Sequence, residues 1–468
     1  MRYVSTRGEA PPLGFEDVLL SGLAPDGGLY VPESWPRFDA PTLAGFAALP
    51  YHEVAARLVA PFTEPDIDEA TLAGIAAASY AGFDHPAVAP LVQLDSNDWL
   101  LELFHGPTLA FKDYALQLVG RLFDHALARR GERVTIVAAT SGDTGSAAIE
   151  ACRDRAGIEI FVLHPEGRVS EVQRRQMTTV DAANVHNIAV EGTFDDCQDL
   201  VKAMFGDPRF RAECRLTAVN SINWARIAAQ AVYYVTAAVA LGAPHRPVAF
   251  SVPTGNFGNV FAGYAARRMG LPVDQLVIAT NRNDILARFL ETGTMEIGEV
   301  VPTISPSMDI QVSSNFERLL HDFVRRDGAA VRRALDRFRQ SGRMTVAAVT
   351  MARIGELFAA GPLSDDETRR TIAAVFDGAH IMLDPHSAVG YGVGRERRRD
   401  PEIPLIAMAT AHPAKFPEAV ETATGARPDL PPRLAAVMAR PERVVTMAND
   451  VAAIKALMRE RIGLRGAA

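Results

Sequence analysis

Cysteine is scarce: the chain of 468 residues has three, Cys152, Cys197 and Cys214. They form no Cys-x-x-Cys pair, and an odd, scattered set argues against a disulfide framework and for a reduced cytoplasmic protein. Long hydrophobic runs are missing too. The longest apolar stretch, about 231–243, is too short to span a membrane and is flanked by polar residues, so it predicts a buried helix. The opening residues, Met1 to Gly8, lack the apolar core of a signal peptide. There is no excess of positive charge. The formal net charge is -8, which argues against a nucleic-acid partner and leaves any anionic substrate to local cations and backbone dipoles. No His-Glu-x-x-His, no metal-spaced Cys/His cluster and no Gly-x-Ser-x-Gly elbow occurs, so metallohydrolase and serine-hydrolase chemistry find no support and no metal site is expected.

What is present is ordinary globular composition, 48% hydrophobic and 22% charged, in a chain long enough for about three domains or lobes. Apolar runs bounded by Gly or Pro at 134–139, 160–163, 248–252, 276–279 and 405–409 predict buried parallel strands. Helical patterns alternate with them. Over 111–130 the apolar positions 111, 115, 118, 119, 122 and 126 form one stripe, and Gly131 stands where a helix ends. Strand followed by helix, repeated, predicts an α/β fold with parallel-rich sheets. Two strand–Gly-loop–helix units far apart in sequence predict two α/β lobes with a cleft between them. The divisions expected are an N-terminal region at 1–96, an α/β region at 97–426 whose smaller lobe covers about 132–215, and a C-terminal cap at 427–468. The cap should end in an amphipathic helix with Asn449 or Asp450 as N-cap and Val451, Ile454, Leu457 and Met458 on one face. The run 395–400, with four arginines interrupted by acids, reads as a solvated surface loop.

Five places carry residues suited to chemistry. In Thr254-Gly255-Asn256-Phe257-Gly258-Asn259 a strand gives way to a helix. Its glycines allow close backbone approach, and free amides at the helix start face an anion, so the segment is either a phosphate cradle or an ordinary turn. The loop Thr140-Ser141-Gly142-Asp143-Thr144-Gly145 is neither a Walker A loop nor a Rossmann fingerprint. Its hydroxyls at Ser141 and Thr144 can grip a carboxylate or simply cap the helix. Asp143, awkward beside an anion, should face a proton donor. Lys112 opens a helix, where the dipole favours a neutral amine and hence a lysine that reacts with carbonyls and acts as a base. Most lysines, however, are solvated surface groups.

Thr410-Ala411-His412-Pro413-Ala414-Lys415-Phe416 follows an apolar strand, at the carboxyl end where ligands sit in α/β sheets. Thr410 offers a hydroxyl and Lys415 a cation, though His412-Pro413 also reads as a simple turn. Arg226 lies at the mouth of the apolar helix. It needs an acidic partner, or a phosphate to grip through its bidentate fork.

Taken together and in order, these segments resemble the threonine synthase family of the microbial type. The likeness runs almost end to end: Tyr3-Val4-Ser5-Thr6-Arg7-Gly8, Gly22 to Pro32, Phe104-His105-Gly106-Pro107-Thr108-Leu109-Ala110-Phe111-Lys112-Asp113, Thr140 to Gly145, Asn220 to Asn223, Ser251 to Asn259, Ala279 to Asp284, and Thr410 to Phe416. The resemblance implies a tryptophan-synthase-like fold (fold type II) with N- and C-terminal additions, and pyridoxal 5'-phosphate (PLP) as cofactor. It implies an enzyme that turns O-phospho-L-homoserine and water into L-threonine and phosphate.

It further implies that Lys112 holds the cofactor and moves protons, while Gly255, Asn256, Phe257, Gly258 and Asn259 hold its phosphate. Thr410 would face the pyridine nitrogen and Asp143 the ring hydroxyl. Ser141 and Thr144 would take the substrate carboxylate, Arg226 and Lys415 the substrate phosphate. A monomer or homodimer is expected. The competing readings are a PLP-dependent serine or threonine ammonia-lyase, which has no use for cations on a substrate phosphate, and a non-catalytic phosphometabolite-binding protein, which has no need to keep Lys112.

Overall fold

The computed structural model describes residues 1–140, 142–217 and 222–463. The chain divides into two units, Met1–Ala115 with Ser221–Asp429 and Leu116–Asn220 with Leu430–Ala468. The division falls inside the helix Lys112–Arg130.

The first unit is built on a six-stranded sheet in the order Phe358–Pro362, Val273–Thr280, Val248–Pro253, Leu405–Ala409, Asp98–Glu102, Leu91–Gln93. All neighbours are parallel except the last pair. The two central strands, Val248–Pro253 and Leu405–Ala409, are buried along their whole length. Such strands read as continuous apolar runs because helices cover both faces. Three adjacent parallel strands end side by side, at Pro253, Ala409 and Glu102. The segments that leave them carry Gly255 to Asn259, Thr410 to Lys415, and Gly106 to Lys112. This is how the topology gathers segments that are far apart in sequence.

The N-terminal region belongs to the same unit. Its strands Tyr3–Ser5 and Tyr30–Pro32 pair antiparallel. Arg7 grips the Glu317 carboxylate with two bonds of 3.0 Å, and Thr6 Oγ1 donates to the same carboxylate at 2.6 Å. The apolar stretch predicted to be a buried helix is the helix Trp224–Ala240, buried on almost every side.

The second unit has a five-stranded, wholly parallel sheet in the order Val445–Ala448, Val185–Glu191, Ile158–Pro165, Val134–Ala139, Leu216–Thr217. The final helix, Val451–Arg461, starts at Asp450, whose carboxylate accepts from the Ala452 and Ala453 amides. Its Ile454 and Met458 are fully buried against Phe161, Leu163 and Val190. Val445–Ala448 is a sheet strand that the sequence reading did not foresee. Edge position and substantial exposure rob it of the continuous apolar pattern of a central strand.

The run 395–400 lies at the surface as read, with Arg395, Glu396, Arg397, Arg399 and Asp400 exposed, but it is not all loop. Arg395 to Arg397 form the last turn of the helix Pro385–Arg397. Arg398 donates to the buried Asp98 at 2.7 Å, and Arg399 caps the carbonyls of Gly355 and Glu356. A buried carboxylate needs paired donors, and that need draws in Arg398, which is half-buried while the other three arginines stay exposed.

Candidate active site

The turn after Val248–Pro253 already has acceptors committed. Its carbonyls are taken from outside: Gly255 O accepts from Ser313 Oγ at 2.7 Å, and Asn256 O from the Asn315 amide and its Nδ2, both at 3.1 Å. A Cβ on Gly255 would lie 3.0 Å from Ser307 O and Ile310 Cδ1, so the backbone there leaves no space for a side chain. Phe257 caps the helix Gly258–Arg268 in the left-handed region, φ 64°. That strain is offset by burying its ring against Phe316 and Phe358. The first amides of any helix lack intrahelical acceptors and attract an anion. Asn259, on the first turn, is buried, and its Nδ2 has no partner among the described residues.

The lysine turn is fixed by a buried carboxylate. Asp113 accepts from the Thr108 amide and the Thr108 hydroxyl, both at 2.8 Å. Burial pushes the Asp113 carboxyl up to about 6, against the opposing pull of Thr108 and Lys415. Gly106 is needed because a Cβ there would sit 2.5 Å from the Asp113 side chain. Leu109 turns through the left-handed region, φ 59°, and the helix then opens at Lys112. Phe111 N–H donates to Thr410 O at 2.9 Å, which ties the residue before Lys112 to the strand end that presents Thr410. Lys415 is fully buried, and its Nζ donates to Thr108 O at 2.9 Å.

Thr410 is held in turn by residues the sequence reading passed over. Its amide donates to Ser387 Oγ at 3.0 Å. Ser387 Oγ donates to the wholly buried Asp384, which also accepts from His386 N and Nδ1. His386 Nε2 accepts from the Ser307 amide at 3.2 Å. The readable signal was Asp384-Pro385, an N-cap followed by a proline at the first helical position.

Arg226, the third residue of Trp224–Ala240, is 4% exposed. Its Nε and Nη1 have no partner among the described residues, and burial lowers its guanidinium to about 10. The acidic partner required of a structural ion pair is not found for it among those residues. Arg226, Gln230 and Tyr233 share one helix face by their spacing. Gln230 Nε2 donates to Arg226 O at 3.0 Å, and Tyr233 donates to Asn259 Oδ1 at 2.7 Å.

The hydroxyl loop lies in the second unit. Thr140 Oγ1 accepts from the Gly142 and Gly145 amides at 3.0 and 2.9 Å. Asp143 is buried and accepts from Gln173 Nε2 at 2.8 Å. Thr144 is half-buried at the helix start. Ser141 lies outside the described residues.

The first unit therefore presents a close-approach glycine turn, a helix-opening lysine, and a buried amide donor and a guanidinium that lack partners among the described residues. A phosphate-bearing aldehyde cofactor fits that set: an amine to join the carbonyl and neutral donors for the phosphate. The sequence comparisons agree. The family model described as "Pyridoxal-phosphate dependent enzyme" matches residues 83–405, and the chain is a PLP-dependent enzyme of fold type II. Models for "Threonine synthase N terminus" and "Threonine synthase, C-terminal" match residues 2–80 and 387–458.

A threonine synthase of Pseudomonas aeruginosa is 57% identical over 467 residues, 100% of this chain and 99% of that one. The crystal structure of PLP-bound threonine synthase from Brucella melitensis matches with a TM-score of 0.97 at 53% identity, covering 98% and 99% of the two chains. The threonine synthase structure from Escherichia coli matches at 0.83 and 30%, covering 98% and 100%. The chain belongs to the threonine synthase family.

Proposed function

We propose that the chain converts O-phospho-L-homoserine and water to L-threonine and phosphate. The observation that supports this choice of substrate is Arg226. A buried guanidinium with two donor nitrogens that have no partner among the described residues is costly unless an anion completes it. The cofactor phosphate already has its own cradle. An arginine fork matches a second phosphate through paired N–H···O contacts, and an ammonia-lyase would have no second phosphate to offer.

PLP, when bound, supplies an electron sink that loosens hydrogens next to the reacting carbon. The chain supplies the rest. Lys112 takes and returns protons as a neutral amine. Arg226 holds the substrate phosphate and stabilises its charge as it departs. Ser141 and Thr144 orient the substrate carboxylate, and Asp143, its own carboxylate oriented by Gln173, meets the ring hydroxyl. Thr410 presents a neutral hydroxyl to the pyridine nitrogen. Lys415, the second phosphate candidate, would have to exchange its bond to Thr108 O for that contact, so Arg226 is the stronger choice.

Three free, buried cysteines suit a reducing compartment, and we place the enzyme in the cytoplasm as a monomer or homodimer. The test is a time course with purified enzyme, saturating PLP and O-phospho-L-homoserine. Phosphate and threonine should appear in equal amounts; release of phosphate or ammonia without threonine would reject the assignment.

A further inference from the structure

Asn259 Oδ1 accepts from two consecutive tyrosines, Tyr233 at 2.7 Å and Tyr234 at 2.9 Å. A carbonyl oxygen offers two lone pairs, so the oxygen end of this amide is saturated. The nitrogen end is buried and unpartnered among the described residues. Both hydroxyls also have alternative acceptors. Tyr233 reaches Gln230 Oε1 at 3.1 Å, and Tyr234 reaches the Asn259 carbonyl at 2.9 Å. Gln230 cannot turn freely, because its Nε2 is committed to Arg226 O. Each tyrosine can therefore give its proton to Asn259 Oδ1 or elsewhere. Which end of the amide faces outward depends on what those hydroxyls do.

The rings are fixed for this task. Tyr234 packs edge-on against Phe250 at 4.7 Å, and Tyr233 against Tyr114 at 5.9 Å. Gly263 leaves the space: a Cβ there would come within 2.7 Å of the Tyr234 ring.

We infer that Tyr233 and Tyr234 are positioning residues for the cofactor phosphate, acting through Asn259. By donating to Oδ1 they keep the oxygen away from the anion and present Nδ2 as a neutral donor. This rests on Asn259 being part of the phosphate cradle. A carboxamide without the two hydroxyls is free to turn its oxygen toward the phosphate, which repels it.

The experiment is a double-mutant cycle on the full-length enzyme, titrated with PLP and read by absorbance. Tyr233→Phe and Tyr234→Phe should each raise the PLP Kd by about tenfold, with kcat at saturating PLP almost unchanged. In the Asn259→Ala background the same substitutions should add less than about twofold. The 31P resonance of the bound cofactor should shift in either tyrosine variant and in Asn259→Ala. Equal tyrosine effects with and without Asn259, or no effect of either, overturn the inference. An unchanged Kd in Asn259→Ala alone would overturn the cradle reading as well. The melting temperature of each variant without PLP separates a general loss of packing from a loss confined to the phosphate.

Discussion

Two strand-to-helix turns in this protein look alike in sequence and spend their hydrogen bonds differently. In the turn at Gly255 to Asn259 the carbonyls of Gly255 and Asn256 are occupied from outside by Ser313 and Asn315, and a buried side-chain N–H has no partner among the described residues. In the turn at Thr140 to Gly145 the Thr140 hydroxyl consumes two backbone amides itself. The first keeps donors available, as the proposed phosphate cradle requires. The second has fewer backbone donors to give, so the proposed carboxylate grip falls to side-chain hydroxyls. On the proposed reading, a hydroxyl-rich loop and a glycine-rich loop at the same place in a βα unit serve different ligand groups.

The largest effect should come from removing the lysine proposed to hold the cofactor. Lys112→Ala should abolish turnover and the visible absorbance of the bound cofactor while circular dichroism stays unchanged. Threonine formation near the normal rate would remove Lys112 from the account.

Substitution at the two turns sharpens the contrast. Gly255→Val should lower PLP affinity by well over tenfold, because its Cβ alone already meets Ser307 O at 3.0 Å. Thr140→Val frees two amides and should leave PLP affinity within about threefold while raising KM for the substrate. Equilibrium titration with PLP and steady-state kinetics on both variants check this; equal loss of cofactor in both would erase the distinction.

Arg226→Lys keeps the charge and loses the fork. One charged hydrogen bond lost should lower kcat/KM by roughly ten- to a hundredfold with PLP occupancy unchanged. If Arg226 served a structural ion pair, the melting temperature would fall and kcat/KM would hold.

The smallest effect concerns pH. Burial lowers His321 and His412 to about 4. Their folded pKa values lie below the ordinary 6.5, so the stability they contribute is complete above that value and is lost as pH falls toward 4. Asp113, raised to about 6, has the opposite sign: its contribution is present below about 3.8 and lost as pH rises through 6. Calorimetry from pH 7.5 to 4 should show melting temperature declining as the two histidines charge, with Asp113 offsetting part of the decline. His412→Gln should flatten the curve; a curve of unchanged shape would contradict the histidine assignment.

Much of the fold could be read from sequence where burial writes a simple pattern. The strands Val134–Ala139 and Leu405–Ala409 fall where the apolar runs put them, because a strand covered on both faces has no polar alternation to blur it. The edge strand Val445–Ala448 escaped, and so did the pairing of Arg398 with Asp98, since neither partner's burial shows in local sequence. Among candidate site residues, those with a spacing or a helix-start position stood out: Lys112, the Gly255 turn, Arg226. Their supports did not. Tyr233 and Tyr234 look like any aromatic pair in an apolar helix, and Asp384, His386 and Ser387 act on Thr410 from a different helix. Contacts made across the sheet leave no periodic trace.

The central claim is that Arg226 is an anion site separate from the cofactor's cradle, and inorganic phosphate tests it most directly. Added to the PLP-loaded enzyme, phosphate should compete with O-phospho-L-homoserine and raise the melting temperature. In Arg226→Met both effects should vanish while PLP stays bound, and the variant without phosphate should melt no lower than the parent, because a buried cation with no acidic partner among the described residues has been removed. Undiminished competition by phosphate in Arg226→Met would contradict the account.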